Sequence, residues 1–285
     1  MQIPYKKHLD AATMLLDCPA NQAAQFLERL RNRPVPYSFW GDLDDGVILV
    51  TEGAGSVATF VPSTPTNATA SSLIEVILEA KAEMGRRGIA TAHAILEPLN
   101  SSSQTLLKAA GFNELATLSY MDLDKSAYER IPPHPSILLI ESTHFTDEEL
   151  CVMLSRTYVG SLDCPKILGT RNIADVLASH RGVGDHDPSH WFVIRKENTN
   201  AGVIFLNTVE NSHAFELAYL GIFPEMRNQK VALSGLRNAI TLAMNRGCDK
   251  ISLAVDRDNT PAIQLYKKCN FRETANRIAL FCPLS

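Results

Sequence analysis

The sequence predicts an α/β protein built from two similar domains, each with a mixed central sheet flanked by helices. Length supports two domains, because 285 residues is about twice the size of an ordinary domain. The run that begins at Gly88 also recurs from Gly247, at a constant offset of 159 residues and without a gap. Within each copy, apolar residues at helical spacing alternate with short apolar runs that are typical of strands.

Matching positions of the two copies carry identical residues, which indicates an internal duplication. Pro65 and Pro224 extend the match towards the N-terminus. The identical pairs further along are Gly88 and Gly247, Asn100 and Asn259, Leu106 and Leu265, Lys108 and Lys267, and Phe112 and Phe271.

Each copy is predicted to contain a long helix, a strand and a second helix in that order. The long helices cover 71–87 and 230–246 and end at a glycine, which commonly stops a helix. Strands follow over 90–96 and 250–255. The second helix begins near Ser101 or Thr260, and Thr260 is a good N-cap residue followed by a proline that suits the first turn.

Hairpin strands precede the long helix, over 47–51 and 56–61 in the first copy. In the second copy they cover 191–195, 202–207 and 214–222. Residues 146–149, T-D-E-E, form a capping box that predicts a further helix start after the apolar run 137–140. The proline-rich stretch 132–135 predicts an exposed linker, so the expected domains are 1–130 and 136–285.

Composition excludes several classes of protein. Lys and Arg number 27 against 31 Asp and Glu, so the net charge of −4 offers no basic field for nucleic acid. Apolar stretches are far shorter than the roughly 20 residues of a membrane helix, and the first ten residues lack the apolar core of a signal peptide. Six scattered cysteines without a C-x-x-C pair favour reduced thiols. We therefore expect a cytoplasmic protein without metal, and leave its oligomeric state open.

The stretch 216–236 is predicted to form a strand, a short loop and the start of a helix. This connection is a candidate functional site. A helix N-terminus presents unpaired N–H groups and a positive dipole end, which suit a pyrophosphate. Arg227 adds a charged donor at the entrance of the loop. The alternative is an ordinary connection with a surface arginine.

Two motifs in order resemble the GNAT superfamily of N-acetyltransferases. The first is the loop Arg227, Asn228, Gln229, Lys230, Val231 and Ala232, and the second is N-T-P-A-I-Q-L-Y-K-K-C-N-F over 259–271. In that family the loop pattern is Q/R-x-x-G-x-G/A, and its amides hold the pyrophosphate of acetyl-CoA. The resemblance covers 136–285 and, more weakly, 40–125. It implies acetyl-CoA as acetyl donor, no metal, and a small-molecule or peptide amine as acceptor.

The resemblance also implies roles for single residues. Glu216 stands where the family has a general base, and Tyr266 matches its general acid. Leu220 and Ile222 would supply strand backbone groups to the thioester and the pantetheine arm, and Asn259 would bond that arm. The alternatives are a solvated glutamate, a packed aromatic ring and a plain turn residue.

Other positions are less specific. Tyr158 and Asp163 lie between two early helices, where the resemblance implies an acceptor pocket; a plain turn is an equal alternative. The segment 180–191 gathers three histidines, but its Gly, Asp and Pro content predicts a flexible loop rather than a metal site. Lys230 and Asn270 depart from the family pattern, because each replaces a glycine.

The first copy lacks the base, the phosphate-binding arginine and the acid, and only Asn100 remains of the polar set. Val57, Ala68 and Leu107 stand at the positions of Glu216, Arg227 and Tyr266. The sequence therefore predicts a degenerate first domain and a second domain that transfers acetyl directly to an amine. The alternatives are a non-catalytic sensor or regulatory protein that binds CoA or acyl-CoA, and a scaffold that does not bind CoA.

Overall fold

A computed structural model of the chain describes residues 1–66, 68–132, 134–210 and 212–284, and it divides into two compact units. Unit 1 comprises Met1–Ala116 and Arg277–Ser285, and unit 2 comprises Thr117–Asn276. These ranges differ from 1–130 and 136–285, because a strand from the end of each repeat is grouped with the other repeat. Pro133, within the expected linker, lies outside the described residues.

The α/β class with mixed sheets is confirmed. Both long helices, and the strands after them, begin and end within one residue of the predicted positions. In the first half the elements are α1 His8–Leu16, α2 Ala20–Asn32, β1 Tyr37–Asp42, β2 Gly46–Gly53, β3 Val57–Pro62, α3 Ala70–Arg86, β4 Thr91–Leu96, α4 Ser101–Ala109 and β5 Asn113–Asp124. In the second half they are β6 Ile137–Glu141, α5 Asp147–Tyr158, α6 Ile173–Arg181, β7 Trp191–Lys196, β8 Thr199–Thr208, β9 Ala214–Ile222, α7 Val231–Asn245, β10 Lys250–Asp256, α8 Thr260–Lys267 and β11 Arg272–Pro283.

Helix starts follow side-chain capping. The predicted capping box of α5 is present, with Thr146 accepting from the Glu149 N–H and Glu149 accepting in return. The prediction that Thr260 caps α8 is wrong, because the side chain of Asn259 accepts from the Ala262 N–H and Thr260 is already helical. Asn100 caps α4 in the same way, which explains why both repeats carry asparagine there.

Unit 1 is a mixed sheet covered on both faces. Its strand order is β1, β2, β3, β4 and the C-terminal part of β11; β3 runs parallel to β4, and the other neighbours are antiparallel. Helices α3 and α4 bury Leu73, Leu107 and Leu280 on one face. Helices α1 and α2 cover Phe39 and Val47 on the other.

Unit 2 has the same plan. Its strand order is the C-terminal part of β5, then β10, β9, β8, β7 and β6, and β10 is parallel to β9. Helix α7 packs Leu236 and Ile240 on one face, and α5 and α6 cover Trp191 and Phe205 on the other. Within the described ranges, the helices are too short or too polar to span a lipid bilayer.

The last strands of the two repeats are exchanged. β5 and β11 are both 12 residues long and lie 159 positions apart in the sequence. Residues 118–124 of β5 pair antiparallel with β10, whereas residues 278–283 of β11 pair antiparallel with β4. Each of these two segments therefore pairs with a strand that belongs to the other repeat.

Candidate active site

One cavity of unit 2 lies where β9 and β10 separate. The parallel ladder pairs residues 214–216 with 250–252 and ends there, although β9 continues to Ile222 and β10 to Asp256. A cavity of about 520 Å³ opens beyond this point, lined by β9, the end of β10, the starts of α7 and α8, and the loop after α5. This volume is ordinary for a small-molecule site. The separation also leaves one backbone edge of β9 without a strand partner.

A β-bulge shapes the wall of the cavity. Phe205 of β8 pairs with Tyr219 and the next residue, Leu206, pairs with Leu217, so Ala218 is the extra residue. A bulge increases local twist and redirects the following side chain. The Tyr219 hydroxyl lies 2.7 Å from the Thr157 hydroxyl, and both residues line the cavity. Sequence analysis missed this pair, since strand alternation fails at a bulge.

The loop 227–232 forms the second wall. Asn228 and Lys230 both have φ near +60°, and α7 begins at Val231 without a side-chain cap. Among the described residues, no protein acceptor is found for the backbone N–H groups of 228–233. These donors, together with the positive end of the helix dipole, suit an anionic group.

The guanidinium of Arg227 forms hydrogen bonds with main-chain carbonyl groups of the protein. Its Nε donates to the Ile222 carbonyl at 3.1 Å, and its Nη1 and Nη2 donate to the carbonyls of Gly160 and Thr157 at 3.3 and 2.9 Å. Three of the five N–H groups of an arginine are thus occupied. Arg227 ties the end of α5 to the end of β9, and it still lines the cavity.

Gln229 does not line the cavity. Its Oε1 accepts from Lys196 and its Nε2 donates to the Glu225 carbonyl, each at 2.7 Å. Of the other predicted cofactor residues, Leu220, Ile222, Asn228, Lys230, Val231, Ala232 and Asn259 all line the cavity. The loop thus faces the cavity through its remaining residues.

Tyr266 is a buried residue of α8 that lines the cavity. Burial raises the pKa of its phenol, and the nearby charge of Asp163 raises it further. The phenol therefore stays protonated and can give a proton to a departing anion, but the raised pKa makes it a weaker acid than a solvated tyrosine. The Tyr266 ring also packs against Phe271 with a centroid separation of 5.8 Å.

Glu216 is separate from this group. Burial raises the pKa of its carboxyl, but the side chain is not among those that line the cavity. Glu216 is in the paired part of β9, opposite Ser252 of β10 and Asn207 of β8. The structure therefore brings Tyr266 to the cavity, but not Glu216.

The two predicted acceptor residues differ in position. Asp163 lines the cavity, whereas Tyr158 lies behind it, with its hydroxyl 3.3 Å from Nε2 of His180 and its ring against Tyr219. Burial raises the pKa of Asp163, and hydrogen bonds from the Asp256 N–H and the Asn259 side chain oppose that rise.

Both departures from the glycine pattern adopt a left-handed backbone. Lys230 has φ near +60° and Asn270 has φ near +65°. Glycine suits such positions because it has no Cβ, and asparagine tolerates them better than other residues do. The Asn270 side chain also donates to the Ala127 carbonyl at 3.1 Å.

The histidines of 180–191 pack against aromatic rings. His180 contacts Tyr219 and Phe205, and burial lowers its pKa to about 4. His186 lies 4.4 Å from the ring of Trp191. In the part of the chain that the structure describes, no group of three or more His, Cys, Asp or Glu side chains is placed to hold a metal ion.

Known proteins match the part of the chain that carries this cavity. Residues 149–271 match the sequence profile of the acetyltransferase (GNAT) family. The matched segment lies within unit 2. It includes Asp163, the loop 227–232 and Tyr266. Over 89 residues the chain is 35% identical to the mycothiol acetyltransferase of Clavibacter sepedonicus, a stretch that is 31% of this chain and 29% of that protein. The match thus spans less than a third of that relative.

Solved structures show the same fold over nearly the whole chain. A GCN5-related N-acetyltransferase from Sphaerobacter thermophilus has a TM-score of 0.63 at 13% identity, covering 98% of this chain and 91% of that one. A tandem GNAT protein from the clavulanic acid biosynthesis pathway has a TM-score of 0.52 at 12% identity, covering 98% and 94%. At such low identity the likeness concerns the fold alone.

Three of the site positions of the second repeat carry apolar residues in the first, although Asn100 matches Asn259. Leu107 is fully buried in the core where the second repeat has Tyr266. Val57 and Ala68 stand in place of Glu216 and Arg227. The hydroxyls of Thr66 and Thr69, beside Ala68, bond each other at 3.0 Å ahead of α3.

Proposed function

We propose that this protein is an acetyl-CoA-dependent N-acetyltransferase in which unit 2 transfers acetyl directly to an amine. The observation that carries the proposal is the cavity between β9 and β10, where unpaired N–H groups of the loop 227–232 and the phenol of Tyr266 face one space. Phosphate recognition and proton donation are the two functions that acetyl transfer from a thioester requires of the donor site.

Each part of the cavity suits one part of the donor substrate. The N–H groups of 228–233 would bind the pyrophosphate, and the ammonium of Lys230 would add a charged donor. The open backbone edge at Leu220 and Ile222 would bind the pantetheine arm and polarise the thioester carbonyl. Asn259 caps α8 at the cavity wall, where its side chain would meet the same arm.

Tyr266 would act as the general acid. When the C–S bond breaks, the phenol gives its proton to the departing CoA sulfur. Glu216, the general base that the family resemblance implies, does not line the cavity. A proton from the amine would therefore reach its carboxylate only through intervening water. The acetyl group would pass directly from the thioester to the amine, without an acyl-enzyme.

We further propose that the first repeat is catalytically silent, because Val57, Ala68 and Leu107 carry no group that binds phosphate or moves a proton. Calorimetric titration with CoA should then return one site per chain. Two equivalent sites would contradict a silent first repeat.

The decisive experiment is multiple-turnover thiol release with acetyl-CoA and a panel of primary amines. An enzyme releases more than one equivalent of CoA thiol per chain, and the release depends on the amine. A CoA-binding sensor would bind CoA in calorimetry but release none, and a scaffold would do neither.

A further inference from the structure

Asp163 is held at the cavity wall by a reciprocal pair of hydrogen bonds. The Asp256 N–H donates to Oδ1 of Asp163 at 3.0 Å, and the N–H of the next residue, Cys164, donates to Oδ2 of Asp256 at 3.1 Å. The Asp258 N–H donates to the other oxygen of Asp256 at 3.0 Å. The loop after α5 is thus fixed to the end of β10, and the Asp163 carboxylate has a defined position.

The charge of Asp163 is not neutralised by the protein. None of the ion pairs among the described residues involves it. Among the described residues that line the cavity, Asp163 alone carries a carboxyl group. A partly buried carboxylate without a cation is costly unless a positive ligand completes it.

The groups around Asp163 are acids rather than bases. Burial is the main cause that raises the pKa of the phenols of Tyr158, Tyr219 and Tyr266 and of the Cys164 thiol, and the charge of Asp163 raises each further. Burial likewise raises the pKa of Asp163, and the charge of Asp256 adds to that rise. The basic residues of the cavity, Arg227, Lys230 and Lys268, belong to the loop before α7 and to the end of α8. Asp163 therefore marks an acidic region of the same cavity that holds the general acid.

We propose that Asp163 binds the ammonium group of a primary alkylamine acceptor and removes its proton. This inference rests on the proposed acetyltransferase function. Asp163 is preferred over Glu216 because it lines the same cavity as Tyr266. Its Oδ1 accepts from the Asp256 N–H and its carboxylate also accepts from the Asn259 side chain, so the carboxylate is oriented by neutral donors and has no cationic partner among the described ion pairs.

The proton balance is complete without another reactant. The ammonium gives one proton to the Asp163 carboxylate, and the free amine attacks the thioester carbonyl to form the C–N bond. The C–S bond then breaks, the sulfur takes the phenol proton of Tyr266, and the nitrogen returns a proton to the phenolate. The products are the amide and CoA thiol, and Asp163 releases its proton to solvent.

The test compares two classes of acceptor in Asp163→Asn, which keeps an oxygen for the Asp256 N–H. Primary alkylamines, from propylamine to 1,4-diaminobutane, are ammonium ions at pH 7, whereas aniline is neutral. We expect kcat/KM for alkylamines to fall by about 100-fold or more, which is the scale of a lost general base. For aniline, kcat/KM should change by less than about threefold, because aniline needs no deprotonation before it attacks. The residual alkylamine rate should rise about tenfold per pH unit as free amine becomes available. CoA affinity should stay unchanged.

Asp256→Asn is the matched control, because it loosens the same loop without touching the cavity. Displacement of the loop should lower kcat/KM for both acceptor classes, and loss of the Asp256 charge, which raises the pKa of Asp163, should add only a smaller selective loss for alkylamines than Asp163→Asn does. The inference is overturned if Asp163→Asn affects both classes equally, if Glu216→Gln alone shows the selective loss, or if the wild-type protein acetylates aniline but no alkylamine. If the wild-type protein binds CoA and acetylates no amine, the acetyltransferase proposal itself fails.

Discussion

Nη2 of Arg227 donates a 2.9 Å hydrogen bond to the main-chain carbonyl of Thr157, across 70 residues of sequence. Two further bonds, to Gly160 and Ile222, make this guanidinium a link between the end of α5 and the end of β9. Arg227, which the sequence predicts to be a phosphate ligand, therefore also holds together two segments of the cavity wall.

Arg227→Ala should lower the free energy of unfolding of unit 2 by about 2–3 kcal/mol, because three carbonyl groups lose a charged donor. Urea denaturation measures the change. Lys196→Ala, which removes one exposed bond to Gln229, is the control and should cost less than about 1 kcal/mol. Unchanged unfolding together with lost CoA affinity would show that Arg227 serves the phosphate alone.

Two substitutions of Lys230 distinguish the effect of backbone strain from the effect of the side-chain charge. A non-glycine residue at φ near +60° is disfavoured, so Lys230→Gly should be about 1 kcal/mol more stable than Lys230→Ala. Both variants lack the ammonium and should bind CoA more weakly, with a smaller dependence on salt. Thermal unfolding and calorimetry at two ionic strengths provide the two measurements. Equal CoA affinity in wild type and both variants would exclude a phosphate contact by Lys230.

Tyr266→Phe removes only the phenol hydroxyl. Turnover should fall by about 100-fold or more, the scale of a lost general acid, while CoA affinity and thermal stability stay close to those of the wild type. The variant's turnover should fall less with thioester donors whose thiol has a lower pKa, because that leaving group needs less protonation. Unchanged turnover with several amines would identify Tyr266 as a core aromatic residue only.

The strand exchange predicts which repeat each core substitution disturbs. Leu280 is fully buried among residues of α3 and β4, so Leu280→Ala should destabilise unit 1 by about 2–5 kcal/mol. Leu123→Ala should instead destabilise unit 2, where it packs with α7. Hydrogen exchange of α3 and α7 reports the two units separately. Faster exchange in α7 with Leu280→Ala would favour uninterrupted domains of 1–130 and 136–285.

The lowered pKa of His180 predicts that the folded protein loses stability in acid. Burial lowers its pKa from 6.5 to about 4, so the unfolded chain binds a proton that the folded chain does not. Stability should therefore fall by about 3 kcal/mol as the pH drops from 6.5 to 4. His180→Gln should flatten this part of the curve, measured by urea unfolding at each pH, and the exposed His213→Gln should not. An equal slope in wild type and His180→Gln would contradict the assignment.

Much of the local structure could be predicted from short windows of sequence. The glycines after α3 and α7, the spacing of their apolar residues and the capping box of α5 act within one or two helical turns. The loop 227–232 was recognisable for the same reason, since a strand, a short connection and a helix start are adjacent in the chain. The capping residue of α8 was misplaced by one position, because asparagine and threonine both serve as N-caps.

Contacts across the sheet were not predictable in this way. Glu216 is excluded from the cavity because it lies where β9 is still paired with β10, and the bulge at Ala218 determines where Tyr219 faces. A bulge shifts every later side chain on its strand, and no local pattern announces it.

The sequence by itself determined the order of elements, the recurrence at 159 residues and the loop with its exposed N–H groups, because these depend on neighbours along the chain. Only the tertiary structure decided that β5 completes the sheet of unit 2 and β11 that of unit 1. The two strands have equal length and matching positions in their repeats, so hydrophobic pattern alone cannot assign their partners. That choice depends on long-range packing, which also places Asp163 beside Asp256 and leaves its charge facing the cavity.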